Sequence, residues 1–275
     1  MNSAQRLLIL LLCWLLSVAA VAAAPQRVVS INLCTDQLLL MLAGPDQISS
    51  ISHLAIEPES SFMAEQASRY PVNHSKAEEL LALKPDLIVA GQYSASRMVR
   101  LMKELGYRVE TFPIVNDLEG IRAAISRMAA LLGKPKRGKQ LIAQMQQRLA
   151  AARLNRPKVK PGAAIYQPNG YTSGSNTLQD VALTLAGWKN VAATMGIDGY
   201  STIDLESLLL ARPQQLFSSA YAPGTQSRAQ QQLNHPALKR STQGREIVNI
   251  DYRYWICGGP MITEAVDQLQ KSLPR

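Results

Sequence analysis

Short apolar runs and helical patterns alternate along most of the chain. The runs at 27–33 and 87–90 are rich in valine and isoleucine, as buried strands are. The segments 35–43 and 94–105 instead repeat leucine or methionine at helical spacing, and each is followed by a glycine. Because strands that alternate with helices build parallel sheets, the pattern predicts an α/β fold.

The helical pattern is longest in the middle of the chain, over residues 117–154, where Gly133-Lys134-Pro135 interrupts it. A basic, proline-containing stretch follows and then a new strand pattern, so a second α/β lobe begins there. The predicted divisions are an N-terminal α/β lobe over 25–116, a helical connector over 117–156 and a C-terminal α/β lobe over 157–275.

The first 24 residues predict a secretory signal peptide. Arg6 is followed by an unbroken apolar run over 7–16 and by small residues over 19–24. This run is shorter than the roughly 20 residues that a membrane anchor needs, and Cys13 lacks the preceding small residues of a lipid-attachment site. We therefore expect cleavage near Ala22 or Ala23 and an exported mature protein.

Composition and motifs exclude several classes. The 275-residue chain is 47% hydrophobic and 18% charged, unlike disordered or low-complexity chains. It has no G-x-S-x-G, H-E-x-x-H or C-x-x-C motif, and its three histidines are scattered, so nothing is arranged for catalysis. The net charge of +9 becomes +8 without residues 1–24, which raises an anionic ligand or surface for consideration. A nucleic acid is not expected, because no recognised binding motif accompanies the basic residues.

The chain echoes itself at a spacing of 128 residues. Residues 78–87 and 206–215 share a glutamate, a leucine-rich helical pattern and a proline stop before a strand. The same spacing relates Tyr93 to Tyr221, each just past the carboxyl end of its strand, where open α/β sheets bind ligands. The echo indicates two related lobes, with chance similarity of leucine-rich helices as the alternative.

Several segments resemble the iron-siderophore and cobalamin class of periplasmic substrate-binding proteins. They are RVVSINLCTDQLLL, AEELLALKPDLIVA, LMKELGYRVETF, YTSGSNTLQDVALTLAGWKNVA and LESLLLARP. The resemblance implies two Rossmann-like lobes, a long rigid connector helix and a ligand cleft between the lobes. It also implies a periplasmic protein that is not an enzyme and has no permanently bound cofactor.

The resemblance further implies the cargo and the partners. Members of that class hand a ferric siderophore, haem, cobalamin or a bare metal ion to the permease and ATPase of a membrane ABC importer. The scarce histidines argue against a bare zinc or manganese ion, so a metal chelate is expected. A secreted two-lobe sensor that feeds a signalling partner is the alternative, because the same fold would serve it.

Glu78 and Glu206 each lie in the first turn of a predicted helix, one in each lobe. In the resembled class, glutamates at these matching positions form salt bridges with arginines of the importer, so the resemblance assigns permease docking to this pair. A local role is the alternative. A carboxylate stabilises the positive end of a helix, and residues 75–78 form a capping-box sequence.

Ligand contacts are expected in the loops that follow strands in both lobes. Residues 252–255 group three aromatic side chains around Arg253, in a chain that is 5% aromatic. Aromatic walls suit a large, flat or chelated ligand, and an arginine there would pair with a carboxylate, although aromatics also cover the core of their own loop. The candidate ligand-binding residues are Cys34, Thr35, Asp36, His53, Gln92, Tyr93, Tyr166, Asn169, Tyr171, Tyr221, Tyr252, Arg253, Tyr254 and Trp255.

Cys34 and Cys257 are the two cysteines that remain after removal of the signal. In an oxidising compartment such a pair usually forms a disulfide. Both lie at predicted edges of the cleft, one in each lobe, so free thiols or a pair of thiolates that bind a soft metal are the alternatives. The sequence leaves all three open.

Overall fold

The computed structural model describes residues 23–94, 96–219, 230 and 232–274. Most of the predicted signal peptide and Tyr221 lie outside the described residues. The strands are β1 (Val28–Ser30), β2 (Ile48–Ser52), β3 (Val72–Asn73), β4 (Leu87–Gly91), β5 (Val109–Phe112), β6 (Gly162–Ile165), β7 (Tyr171–Ser173), β8 (Lys189–Asn190), β9 (Tyr200–Thr202), β10 (Gln215–Ser218) and β11 (Val248–Asn249).

Helices connect most of these strands. The α-helices are α1 (Leu33–Leu42), α2 (Ala64–Ala67), α3 (Ala77–Leu83), α4 (Ser96–Glu104), α5 (Leu118–Leu131), α6 (Pro135–Leu154), α7 (Leu178–Ala186), α8 (Val191–Thr194), α9 (Leu205–Leu210), α10 (Pro236–Ser241) and α11 (Ile262–Lys271). Single 3₁₀ turns lie at Pro45–Gln47, His53–Ile56, Pro168–Gly170, Gln232–Asn234 and Tyr252–Tyr254.

The N-terminal sheet is parallel throughout, in the order β3-β2-β1-β4-β5. Its central strands carry continuous runs of buried side chains, such as Val28 and Val29 in β1 and Ile88 and Val89 in β4. Such runs form because helices cover both faces of a parallel sheet. All five strands therefore end at one edge of the sheet.

The C-terminal sheet is also parallel, in the order β11-β10-β6-β8. A separate antiparallel pair joins β7 to β9, which the sequence pattern did not predict. The two parallel sheets and their helices confirm the predicted α/β fold with two lobes.

Helices α5 and α6 lie between the two sheets in the sequence and pack against each other. Gly133 ends the first of them with a φ of 69°, at the predicted interruption. Gly138 lets the two helices approach closely, because a Cβ there would lie 2.5 Å from the Cβ of Ala129. Arg148 of α6 then binds Glu264 and Asp267 of α11 through two ion pairs, which fasten α6 to the C-terminal lobe.

One cluster of buried apolar side chains extends through both lobes. It runs from Val28 in the first sheet, through Ile125 of α5 and Met145 of α6, to Leu269 of α11. Because protein interiors are close-packed, a shared core resists independent movement of the lobes. Among the described residues, no helix has both the length and the apolar character needed to cross a membrane.

The backbone repeats the 128-residue echo. Lys84 and Arg212, which are 128 residues apart, both adopt the left-handed conformation, with φ values of 44° and 48°. Each follows a short helix, precedes a proline and leads into a strand, β4 or β10. The two segments therefore share their turn geometry as well as their residue pattern.

Candidate ligand-binding cleft

A cavity of about 450 Å³ lies between the lobes. Its N-terminal side is formed by the loops that follow β1, β4 and β5, and its C-terminal side by the start of α7, by β9 and by the loop that follows β11. The carboxyl ends of strands thus face the cavity, as expected for a parallel sheet. The lining residues are Asn32, Cys34, Thr35, Leu38, Gly91, Gln92, Tyr93, Ser94, Phe112, Pro113, Ile114, Val115, Asn116, Ala124, Leu178, Gln179, Tyr200, Tyr252, Ile256 and Gly258.

Asn32 organises the N-terminal wall. Its side-chain oxygen caps α1 by accepting hydrogen bonds from the backbone N–H groups of Cys34, at 3.0 Å, and Thr35, at 3.4 Å. Its Nδ2 donates to Ser94 Oγ at 2.7 Å and so joins the loop after β1 to the loop after β4. Gly91 makes room for this link, because a Cβ there would lie 2.9 Å from Asn32 Nδ2.

Tyrosines from both lobes line the cavity. Tyr93 comes from the N-terminal lobe and is 75% exposed, while Tyr200 and Tyr252 come from the C-terminal lobe. The hydroxyl of Tyr200 donates to Gln179 Oε1 at 2.9 Å, which holds the phenol in place. Exposed rings anchored in this way offer large contact areas at a small cost in side-chain entropy.

The polar part of the wall consists of amides and hydroxyls. Asn32, Gln92, Asn116 and Gln179 supply four side-chain amides. That of Asn32 is engaged with α1 and Ser94, and the oxygen of Gln179 accepts from Tyr200. Among the described residues that line the cavity, none is acidic, basic or a histidine. The wall therefore suits an uncharged ligand surface that carries both hydrogen-bond donors and hydrogen-bond acceptors.

Five of the predicted ligand-binding residues meet in this wall: Cys34, Thr35, Gln92, Tyr93 and Tyr252. Asp36 does not reach the cavity, although it neighbours Thr35. It is fully buried and accepts hydrogen bonds from the backbone N–H and hydroxyl of Ser52, which tie α1 to β2. Burial raises the pKa of Asp36 from 3.8 to about 6, against the opposing effect of its hydrogen bonds to Ser30 and Ser52.

Four other predicted residues lie away from this cavity. His53 is exposed and stacks on His74, with ring centroids 5.0 Å apart. Tyr166 and Asn169 line a separate cavity of about 300 Å³ in the C-terminal lobe. Tyr171 in β7 is exposed. Tyr221 lies outside the described residues.

The remaining predicted aromatic residues support the loop after β11. Trp255 is 1% exposed and donates from Nε1 to Ser219 Oγ at 2.9 Å. The ring of Tyr254 packs edge-on against Phe62, with centroids 5.9 Å apart. Arg253 forms an ion pair of 2.9 Å with Asp251. These contacts hold the loop in place, and the loop in turn places Tyr252 in the cavity wall.

Cys34 and Cys257 form a disulfide, with their Cα atoms 5.2 Å apart. This outcome is the first of the three that the sequence left open. The bond joins the start of α1 in the N-terminal lobe to the loop before α11 in the C-terminal lobe, beside the cavity. Nearby, Gly258 lies so close to Val115 that a Cβ would approach its Cγ1 to 2.3 Å. The lobes are thus held together directly at the edge of the cleft.

Glu78 and Glu206 are exposed in the first turns of α3 and α9. The predicted capping box at 75–78 does not form. Glu79 instead accepts a hydrogen bond of 2.6 Å from the backbone N–H of His74, which lowers the pKa of its carboxyl. In α9 the cap is Asp204, whose carboxylate accepts from Ser207 N at 2.8 Å.

A model of the periplasmic binding protein family matches residues 28–246. The chain belongs to this family. Its members are binding proteins, so the family agrees with the prediction that the chain is not an enzyme.

Three relatives illustrate how far this periplasmic binding protein resembles others. It is 27% identical over 227 residues to the vitamin B12-binding protein of Yersinia pseudotuberculosis. The matched region covers 81% of this chain and 77% of that protein. It is 24% identical over 172 residues to the cobalamin-binding protein of Halobacterium salinarum, covering 62% of this chain and 47% of that one. The chain thus matches about half the length of that relative.

The structure of the haem-binding protein RhuT from Roseiflexus superimposes with a TM-score of 0.74 at 23% identity, covering 90% of this chain and 98% of that one. This likeness shows the shared two-lobe fold.

The sequence alone did not indicate Asn32, Gln179, Tyr200 or the residues that follow β5. The rule that strand ends line the cleft accounts for the last group, because β5 ends at Phe112. Tyr200 lies in the unpredicted antiparallel pair, and nothing in its local pattern marks it.

Proposed function

We propose that this protein is the substrate-binding component of an ABC importer and that its cargo is a metal chelate of the corrinoid class, such as cobalamin. The observation that carries the proposal is the wall of amides, hydroxyls and tyrosines between the lobes. We also propose that the signal at 1–24 directs export to the periplasm. The lobes are proposed to divide at residues 116 and 156, on either side of the helical connector.

The chemistry of the wall favours a corrinoid over other chelates. The rim of a cobalamin ring carries carboxamide groups, which both donate and accept hydrogen bonds. Side-chain amides such as those of Gln92, Asn116 and Gln179 match such groups without burying a charge. The corrin faces would pack against tyrosine rings. The names of two sequence relatives, a vitamin B12-binding and a cobalamin-binding protein, support the same cargo.

Haem is the second candidate, and one feature favours it. Tyr93 projects an exposed phenol from the N-terminal wall, and a tyrosine oxygen is a known axial ligand of haem iron. The solved relative from Roseiflexus is named as a haem-binding protein. Against this candidate, haem carries two propionates, and the described wall offers them amides rather than a cation.

Calorimetric titration of the mature protein with cyanocobalamin, haemin and ferrichrome tests the cargo. We expect saturable binding of cyanocobalamin with a Kd of micromolar or below. Gln179→Ala should weaken this binding about tenfold, because it removes an amide and releases Tyr200. Gln66→Ala, on exposed α2, is the matched control and should bind normally. Tight haemin binding that Tyr93→Phe abolishes would replace the corrinoid with haem.

We also propose that Glu78 and Glu206 dock the protein on arginines of the permease. Both carboxylates are exposed, no described side chain caps α3, and Asp204 rather than Glu206 caps α9, so neither carboxylate is needed as a helix cap, which supports a role outside the protein itself. Replacing both by alanine should abolish uptake into proteoliposomes that hold the permease and ATPase, with cargo affinity unchanged. Glu65 and Glu119, which are exposed in the first turns of α2 and α5, provide the matched control pair. Equal loss of uptake in both pairs would refute the assignment.

A further inference from the structure

The four strands of the C-terminal sheet begin at one edge, opposite the edge that faces the cavity. We call this edge the base and define it by the segments that lead into its strands. The base comprises residues 153–162, 187–190, 210–215 and 239–247.

Backbone contacts hold these segments side by side. The N–H of Lys189 donates to Pro161 O at 2.9 Å, and the N–H of Gln214 donates to Gly162 O at 2.8 Å. Nε2 of Gln215, at the start of β10, donates a hydrogen bond of 2.8 Å to the backbone oxygen of Glu246, in the segment before β11. The base is therefore one continuous surface rather than four separate loops.

The base carries the whole positive excess of the mature chain. Its segments hold nine lysines and arginines but one acid, Glu246, whereas the rest of residues 25–275 holds nineteen groups of each sign. Glu246 is paired with Lys239 at 2.6 Å. All the cations except the half-buried Arg156 are exposed. The nine are Arg153, Arg156, Lys158, Lys160, Lys189, Arg212, Lys239, Arg240 and Arg245.

The base also carries the most exposed large apolar side chains of the described residues. Leu154 is 86% exposed, Val159 84% and Leu210 76%. Single exposed apolar residues are common on soluble proteins. Their grouping on a strongly cationic surface, however, is typical of proteins that lie on membranes.

A cavity of about 410 Å³ opens in the base between α9 and α10. Two guanidinium groups, from Arg212 and Arg240, line it together with the polar side chains of Gln214, Ser241 and Gln243. Guanidinium groups bind phosphate through paired hydrogen bonds, so this cavity has the chemistry to hold a phosphate-bearing headgroup.

We propose that the base binds the surface of an anionic phospholipid bilayer. The cations would lie against the headgroups while the three aliphatic side chains enter the interface. A soluble polyanion would satisfy the charges but leave those side chains in water, which is why the observations favour a bilayer. The base and the cavity-facing edge are opposite edges of one sheet, so a protein bound by its base turns Glu206 away from that bilayer. Retention on the bilayer and docking on the permease then require different orientations of the protein.

Flotation of the mature protein with two kinds of vesicle tests the proposal. One kind is pure phosphatidylcholine, and the other contains about one third phosphatidylglycerol. We expect binding to the anionic vesicles alone. Each cation contributes about fivefold, so Lys160→Gln with Arg212→Gln and Arg245→Gln should lower the partition coefficient about 100-fold. The matched control is Arg97→Gln with Arg100→Gln and Lys103→Gln, exposed residues of α4 with the same charge change. It should retain binding to within a few-fold.

A third variant, the serine variant, combines Leu154→Ser, Val159→Ser and Leu210→Ser and separates a bilayer from a soluble anion. It should lose binding although its charge is unchanged. Equal losses in the base and control charge variants would show that net charge alone acts, and would overturn the proposal. Full binding by the serine variant, or no binding of the unaltered protein at low salt, would overturn it as well. Urea unfolding of each variant checks that the fold is intact, and this readout depends neither on the membrane surface nor on the identity of the cargo.

Discussion

Removing the disulfide should destabilise the protein strongly but change cargo binding little. The bond closes a separation of 223 residues, which corresponds to about 5 kcal/mol in the chain-entropy description of the unfolded state. Replacing Cys34 and Cys257 by alanine should therefore lower the free energy of unfolding by about 3–5 kcal/mol, since measured losses often fall below the full entropic value.

The native cleft has other supports that remain after this change. The lobes share one buried core through α5 and α6, and Arg148 fastens α6 to α11. The hydrogen bonds of Asn32 also continue to hold the loop after β1. We therefore expect the Kd for the cargo to change by less than about threefold, which is well under 1 kcal/mol.

Urea denaturation of three samples measures this prediction. They are the unaltered protein, the same protein after full reduction, and the double alanine variant. The reduced protein and the variant should unfold at matching urea concentrations, and both should show a larger m-value because their unfolded chains expand further. A loss of stability below about 1 kcal/mol, or a cargo Kd that rises more than tenfold, would refute the structural reasoning.

Three further predictions concern single residues. Because burial raises the pKa of Asp36 from 3.8 to about 6, the folded state keeps a proton that the unfolded state loses, and stability should fall by about 2 kcal/mol as the pH rises from 4 to 7. Urea unfolding should show that Asp36→Asn lacks this part of the pH dependence, and identical pH profiles would contradict it. Gly91→Ala places a Cβ 2.9 Å from Asn32 Nδ2, so it should lower the free energy of unfolding by about 1–3 kcal/mol and weaken cargo binding. Urea unfolding and calorimetry measure the two effects, and unchanged values would show that the loop adapts. Arg148→Met should cost about 1 kcal/mol or less, because its ion pairs are partly exposed, and a loss above about 3 kcal/mol would assign them a larger role.

The fold was predictable because local sequence patterns mark most of its strands and helices. Buried runs such as 87–90 and the glycine at 133 mark strand and helix boundaries by composition alone. The antiparallel pair of β7 and β9 was not predictable, since its strands are three residues long and partly exposed. Such strands form through pairing rather than through local preference.

The cleft was predictable in part, and helix geometry explains the rest. Successive residues of a helix point in directions about 100° apart, so Thr35 lines the cavity while its neighbour Asp36 turns towards β2. The 3₁₀ turn at Tyr252–Tyr254 separates its residues by about 120°. Tyr252 therefore faces the cavity, whereas Tyr254 packs on Phe62.

Cleft residues that meet from distant positions of the chain could not be found from the sequence. Gln179 and Tyr200 come together through a hydrogen bond of 2.9 Å although they are 21 positions apart. No local pattern encodes that distance, because the register of the β7–β9 pair sets it.

The central claim is that the cleft encloses a corrinoid, and direct titration with cyanocobalamin tests it most directly. We predict a single saturable site with a Kd of micromolar or below, weakened by Gln179→Ala and unaffected by Gln66→Ala. Binding of haemin or ferrichrome in place of cyanocobalamin, at the same site and with comparable affinity, would contradict the account.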